Sequence, residues 1–139
     1  MMKNSLLLLM LVSLLSCGKD NGPRIPEVYV NYSLTIQEFD IKKNADNVML
    51  VPNQGVAGLM IVRSGNSYKA FDRCSPVDPE KKCVVVPEST FIASDPCSGG
   101  QWLLLDGTPQ KAPAVRNLKE YQVRIINNFN LLVTNDYGN

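Results

Sequence analysis

The residues of this chain whose types could do chemistry are its cysteines, because the sequence contains no histidine. The four cysteines are Cys17, Cys74, Cys83 and Cys97. Without an imidazole the chain cannot form the serine–histidine–aspartate or cysteine–histidine arrangements of hydrolases. Zinc sites that require a histidine ligand are excluded for the same reason. The chemistry of the chain therefore rests on thiols, disulfides and carboxylates.

Cys17 stands at the end of an N-terminal apolar segment that indicates export. Lys3 precedes a run of leucine, methionine and valine that ends at Ser16, a layout typical of a secretory signal. The run is shorter than the roughly 20 apolar residues that a membrane-spanning helix needs. Leu14-Leu15-Ser16-Cys17 resembles the lipobox of bacterial lipoproteins, which implies that Cys17 is acylated and becomes the new N-terminus. We therefore predict a signal peptide over residues 1–16, a lipidated cysteine with its tether over 17–27, and a single β domain over 28–139.

The charge of the mature chain indicates which partners to expect. Removal of residues 1–16 takes away Lys3 and leaves 13 basic against 13 acidic residues. A neutral domain without a basic run lacks the electrostatic footprint of a nucleic-acid-binding protein. We expect attachment to a membrane through lipid on Cys17, a place in the bacterial cell envelope outside the cytoplasm, and an envelope protein as the partner.

The rest of the chain reads as short strands separated by turns. Alternation of apolar and polar residues over 28–37 has the period of two of a half-buried strand. Further apolar runs follow at 48–51, 58–63, 68–72, 84–86, 90–93, 102–105, 121–126 and 129–134. Asn127-Asn128 fits a tight hairpin, because asparagine tolerates a left-handed backbone. Eight or nine strands with no helix after the signal predict an all-β domain, a small antiparallel sandwich or barrel.

Two aromatic features belong to this reading of the strands. Trp102 with the leucines after it could form an exposed recognition patch, but a core position is favoured. Tyr29 and Tyr32 lie on opposite faces of one strand, so at least one of them should be exposed.

An exported protein meets an oxidising compartment, so two of the three cysteines after Cys17 are expected to form a disulfide. Spacing alone leaves all three pairings open.

The cysteine-bearing segments resemble those of the Rieske domains. The motifs that carry the resemblance are Tyr68-Lys69-Ala70-Phe71-Asp72-Arg73-Cys74, Asp95-Pro96-Cys97-Ser98-Gly99-Gly100-Gln101-Trp102, Asp106-Gly107-Thr108-Pro109 and Ala112-Pro113-Ala114-Val115-Arg116-Asn117-Leu118. They occur in the family's order between about Gly58 and Thr134. The resemblance implies a Rieske-like fold with two cysteine-bearing loops. It also implies that Cys83 and Cys97 form a disulfide between those loops.

The same resemblance assigns four positions to the ligands of a [2Fe–2S] cluster, which the family holds through two cysteines and two histidines. These positions fall on Cys74 and Pro76 in the first loop and on Asp95 and Ser98 in the second. Only Cys74 keeps a family ligand. We therefore expect no cofactor, no catalytic residue and no metal ligand, and a membrane-anchored binding or accessory protein of the envelope. The alternative is an iron–sulfur electron-transfer protein with atypical ligands, such as Cys74 with Cys83, Cys97 or Asp95, or ligands from a partner chain.

Two further readings concern single side chains near the loops. Asp78, Glu80 and Asp95 could bind a hard cation, although solvated loop carboxylates are commoner. Cys74 could be a reactive thiol if Arg73 lowered its pKa. A buried, inert thiol left at an old ligand position is the favoured interpretation.

Overall fold

The described part of the chain, residues 22–135, is built mainly from antiparallel strands in the computed structural model. The signal peptide and Cys17 lie outside it, so their predictions stay predictions. The ten strands are β1 (Asn31–Thr35), β2 (Val48–Val51), β3 (Leu59–Ser64), β4 (Ser67–Asp72), β5 (Val86–Pro87), β6 (Ile92–Ser94), β7 (Gln101–Leu103), β8 (Pro109–Lys111), β9 (Glu120–Ile126) and β10 (Asn130–Thr134). The all-β prediction is confirmed.

The strands form two sheets. The larger has six strands in the order β1-β10-β9-β4-β3-β2, and the smaller has four in the order β5-β6-β7-β8. Both hairpins predicted from turn residues are present, β3–β4 and β9–β10. In the second of these, Asn127 and Asn128 have φ angles of 53° and 60°. That left-handed backbone suits the tight turn for which the asparagines were predicted, although the loop between the paired residues Ile126 and Asn130 has three residues.

The six-stranded sheet is buried on both faces at β3, which explains the continuous apolar run of that strand. Leu59 and Ile61 belong to one core cluster, together with Phe39. Met60 and Val62 point to the opposite face and belong to a second cluster, which includes Trp102 of the smaller sheet. Successive side chains of a strand alternate between faces, so a strand between two cores must be apolar at every position. Trp102 is fully buried, as predicted.

The prediction of no helix after the signal is wrong. A helix, α1 (Ile36–Lys42), follows β1 directly, where the alternation had suggested that the strand continued to Gln37. The side-chain oxygen of Thr35 accepts a hydrogen bond from the Glu38 amide at 2.9 Å and caps the helix. Phe39 anchors it in the core. A short 3₁₀ turn at Pro79–Lys81 was missed as well.

The remaining differences are in strand bounds. The fourth strand of the smaller sheet, β8, has no apolar run and was not predicted. The strands predicted at 84–86 and 90–93 are displaced toward the C-terminus, to β5 and β6. Tyr29 is 76% exposed, as expected for one of the paired tyrosines. No helix within residues 22–135 is long and apolar enough to cross a membrane.

Candidate metal centre

The first cysteine-bearing loop connects β4 to β5 and is held by its own backbone. The Ser75 amide donates to the Cys83 carbonyl at 2.9 Å, and Cys74 and Val84 form an isolated antiparallel bridge. These contacts fold the loop back on itself around the 3₁₀ turn. They bring Ser75 and Cys83 side by side although seven residues separate them in the sequence.

The second loop connects β6 to β7 and is closed by two backbone hydrogen bonds. The Asp95 amide donates to the Gly100 carbonyl at 2.9 Å, and the Gly99 amide donates to the Asp95 carbonyl at 2.8 Å. Gly99 has a φ of 81°, a backbone conformation that glycine adopts without strain. The turn places the side chains of Asp95, Cys97 and Ser98 toward the first loop.

Both loops begin with the same local structure, an aspartate followed two residues later by a cysteine. Asp72 accepts a hydrogen bond from the Cys74 amide, and Asp95 accepts one from the Cys97 amide, each at 2.8 Å. Aspartate commonly forms such a turn with the amide two residues on. The repeated Asp-x-Cys is a signal that the sequence offered and the sequence analysis did not use.

The two loops are joined by a disulfide and by a hydrogen bond. Cys83 and Cys97 are disulfide-bonded, which confirms the pairing that the resemblance implied. The Ser75 hydroxyl donates to the Asp95 carboxylate at 2.7 Å across the same junction. Ser75 was not a predicted site residue, because a serine directly before a loop proline carries no recognisable pattern.

Asp95 is the electrostatic centre of the junction. It is 2% exposed, and burial by itself would raise the pKa of its carboxyl. Hydrogen bonds from the hydroxyls of Ser75 and Ser98 and from the amides of Cys97 and Ser98 outweigh that effect and hold the pKa below its ordinary value. Asp95 is therefore a fixed negative charge beside the disulfide at neutral pH.

Ligand-type atoms of three residues converge at this point. One carboxylate oxygen of Asp95 and the sulfurs of Cys83 and Cys97 all lie within 4.8 Å of one another. Within residues 22–135 this is the one group of three or more such side chains close enough to hold a metal ion. Asp95 is buried, Cys83 is half-buried and Cys97 is exposed, so the group opens to solvent on the Cys97 side.

Cys74, in contrast, lies apart from the junction as an inert thiol. It is fully buried, and its sulfur lies 3.7 Å from the Pro79 carbonyl oxygen. Burial, followed by the negative charge of Asp72, raises the pKa of its thiol to about 11. Arg73 does not activate it, because its guanidinium donates to the Val85 carbonyl at 3.0 Å. The buried-thiol interpretation is the one that fits.

The other predicted positions are placed as follows. Pro76 is a buried residue of the first loop, and the Ser98 hydroxyl donates to Asp95 at 2.7 Å. Asp78 pairs with Lys81. In the described chain neither Asp78 nor Glu80 joins the group around Asp95, so the less favoured alternative of a cation site made by these three carboxylates is not formed.

A second buried carboxylate, Asp72, organises the base of the first loop. It accepts hydrogen bonds from the amides of Val56, Ala57 and Cys74 and from the Tyr121 hydroxyl, at 2.7 to 3.1 Å. These bonds tie the 55–58 turn and β9 to the start of the loop. Gly55 is required for this approach, because a Cβ there would stand 2.4 Å from a carboxylate oxygen of Asp72.

Comparisons with known proteins found similarity in fold. No family model and no curated protein matches the sequence. A ferredoxin of carbazole 1,9a-dioxygenase from Nocardioides aromaticivorans IC177 superposes with a TM-score of 0.49 and 19% identity, over 79% of this chain and all of that one. A putative NADH-dependent nitrite reductase small subunit from Mycobacterium tuberculosis gives 0.48 and 14%, over 81% of this chain and all of that one. These identities are too low to transfer an activity.

The expectation that the chain offers no place for a cofactor is corrected by this group. It followed from counting the family's four ligand positions, of which only Cys74 survives. The ligand-type atoms that converge are instead those of Cys83, Asp95 and Cys97. The favoured interpretation gave the disulfide cysteines a structural role and took Asp95 as a lost ligand, whereas the alternative with atypical ligands named all three residues.

Proposed function

We propose that this chain is an iron–sulfur electron-transfer protein of the bacterial cell envelope, with atypical ligands and a lipid anchor on Cys17. The observation that carries the proposal is the convergence of Cys83, Asp95 and Cys97 within 4.8 Å at the junction of the two loops. The position is exposed on one side, as a centre that exchanges electrons with a partner must be.

The ligand atoms at the loop junction fit an iron–sulfur cluster bound by thiolates and do not fit a Rieske centre. A Rieske centre needs two imidazole ligands, and the chain has no histidine. Thiolates are the usual ligands of iron–sulfur clusters, and the chain offers two beside a carboxylate once the disulfide is reduced. Cys74 lies outside the group, so the remaining coordination would come from a partner chain in the envelope.

The residues of this chain have separate roles in that proposal. Cys83 and Cys97 supply one thiolate from each loop, and Asp95 supplies a third negative charge. Ser75 and Ser98 hold the Asp95 carboxylate in place by hydrogen bonds of 2.7 Å each. An iron–sulfur centre supplies one-electron transfer when it is bound.

The ligand types also predict the reduction potential. Thiolate and carboxylate ligands are anionic whereas imidazole is neutral, and added negative charge favours the oxidised state. The potential should therefore lie below the range of about −150 to +300 mV that histidine ligation gives.

The test is metal analysis of the native lipoprotein, isolated from its own membrane under anaerobic conditions with its partners retained. We expect iron and acid-labile sulfide in equal amounts and a paramagnetic signal on reduction. The Asp95→Asn variant should lose most of the iron. Asp78→Asn, which removes a partly exposed carboxylate of the first loop, should keep it. A native preparation free of iron and sulfide would contradict the proposal.

The anchor and the location are tested separately. Cys17→Ala should leave the chain unlipidated and release the exported domain from the membrane fraction. No basic run accompanies the neutral formal charge of the mature chain, so we propose no nucleic acid among its partners.

A further inference from the structure

We propose that the Cys83–Cys97 disulfide is the closed state of a redox-gated metal site, which opens on reduction to bind one thiophilic divalent cation, such as Fe²⁺ or Zn²⁺, through Cys83, Cys97 and Asp95. The inference deepens the proposed function and rests on it only for the place of the site. Metal and disulfide are mutually exclusive at this junction, because both require the same two sulfurs.

The geometry requires only a small opening. In a tetrahedral zinc–thiolate site with bonds of about 2.3 Å, the two sulfurs lie about 3.8 Å apart. The Cα atoms of Cys83 and Cys97 are 6.2 Å apart, and rotation of the two side chains about χ1 can bring their sulfurs to the zinc–thiolate distance once the disulfide is reduced. The loops need not part, since the Ser75–Asp95 bond still joins them.

The reaction balances with a dithiol as the reductant. The dithiol delivers two electrons and two protons, so the Cys83–Cys97 bond breaks, both sulfurs become thiols and the reductant becomes a disulfide. Binding of the cation displaces both thiol protons to solvent, because the ligands are thiolates. Oxidation by a disulfide of the compartment reverses the sequence and releases the cation.

The charge at the junction favours a cation once the thiols are free. Two thiolates beside the Asp95 carboxylate would bring three negative charges within 4.8 Å of one another. Like charges disfavour ionisation, and a divalent cation compensates them.

Access to the site is one-sided. Cys97 is exposed while Asp95 is buried, so a reductant or a hydrated cation reaches the site from the Cys97 side. Exposed disulfides are the more readily reduced ones, in contrast to structural disulfides enclosed in a core. The exposure of Cys97 therefore suits a disulfide that is reduced and re-formed better than a permanent structural disulfide.

The experiment uses Co²⁺ as a spectroscopic probe with the purified full-length protein in detergent. The protein is reduced by a phosphine that does not bind the metal, desalted anaerobically and titrated. We expect one Co²⁺ per chain, with a sulfur-to-cobalt charge-transfer band, and no band in the disulfide form. Cobalt binding that is equal in the two forms, or no band from reduced protein whose circular dichroism shows it folded, would overturn the inference.

Variants locate the ligands. Cys83→Ser and Cys97→Ser should each abolish the band, and Asp95→Asn should weaken Co²⁺ binding by at least about tenfold. Ser75→Ala should also weaken Co²⁺ binding if Ser75 positions Asp95. Asp78→Asn is the matched control and should bind as the unmodified chain does. An unchanged affinity in Asp95→Asn would overturn the assignment of the carboxylate as a ligand.

A second readout does not depend on any variant folding. Bound Co²⁺ should slow re-formation of the disulfide by an oxidised dithiol at least about tenfold, since attack requires a free thiolate. An unchanged rate of disulfide formation would contradict the claim that the metal and the disulfide exclude each other. The proposed function and this inference can fail separately. Native protein that lacks iron but binds Co²⁺ after reduction would contradict the proposed function and support the redox-gated site. Native protein that contains iron but binds no Co²⁺ after reduction would contradict only the redox-gated site.

Discussion

At the scale of single residues, the two buried aspartates have different consequences. Asp95 faces the loop junction and is one of three potential ligands, whereas Asp72 is enclosed by backbone amides and the Tyr121 hydroxyl. Asp72 has the partners of a structural carboxylate, and all of them lie in this chain. The sequence shows both as Asp-x-Cys and does not distinguish them, because the difference depends on which side chains surround each carboxylate.

Tyr121 tests the structural role of Asp72. Its hydroxyl donates to the carboxylate at 2.8 Å in a buried position. Tyr121→Phe should lower the free energy of unfolding by about 1.5–3 kcal/mol, because a hydrogen bond to a charged group is lost and the carboxylate stays buried. Denaturant unfolding measures the change. Tyr29→Phe, on an exposed tyrosine, is the control and should change stability by less than about 0.5 kcal/mol; equal effects would contradict the assigned role.

Cys74 predicts a pH dependence of stability. Its pKa is raised in the folded state from 9.0 to about 11, so the folded chain retains the proton where the unfolded chain loses it. The associated stability is complete below about pH 9 and is lost as the pH rises toward 11. The free energy of unfolding should fall over that window, and less steeply in Cys74→Ala. The same slope in both proteins would count against a perturbed Cys74.

At the scale of elements, α1 shows what periodicity alone cannot decide. The alternation from Val28 to Ile36 is real, and Val30 and Leu34 are buried as it predicts. The strand nevertheless ends at Thr35, because Thr35-Ile-Gln-Glu38 carries the signature of a helix N-terminus. An apolar residue at 36 suits either element, and the capping residues decide between them.

The cap predicts a local loss of stability. Thr35→Ala removes the acceptor of the Glu38 amide and should lower the free energy of unfolding by about 1 kcal/mol. Thr35→Ser keeps a hydroxyl at the same place and should retain most of it. Thermal unfolding followed by circular dichroism compares the two. A serine variant as unstable as the alanine variant would show that the methyl group, and not the cap, is what matters.

At the scale of the whole molecule, the sequence was sufficient to predict the fold but only part of the candidate site. Alternating and continuous apolar runs locate the strands because burial on one or two faces imposes them. The site forms where two loops meet, at residues that are distant in sequence and have no period. The resemblance identified the two loops, but matching ligand positions one by one retained only Cys74 and left Cys83, Cys97 and Asp95 to the less favoured alternative.

The disulfide contributes to the stability of the whole domain. It joins residues 14 apart, and closing a loop of about 15 residues is worth about 3 kcal/mol in the chain-entropy model. The double variant Cys83→Ser, Cys97→Ser should unfold at a correspondingly lower denaturant concentration. The oxidised chain of Cys74→Ala, with its disulfide intact, serves as the comparison. A loss well below 1 kcal/mol would mean that the other loop contacts hold the junction unaided.

The most direct test of the central claim is native mass spectrometry of the lipoprotein isolated anaerobically, since one intact mass reports both bound iron and the state of the two thiols. We predict that the molecules carrying iron have Cys83 and Cys97 unlinked, and that disulfide-linked molecules carry none. Iron retained on disulfide-linked molecules, or an entirely iron-free population, would contradict it.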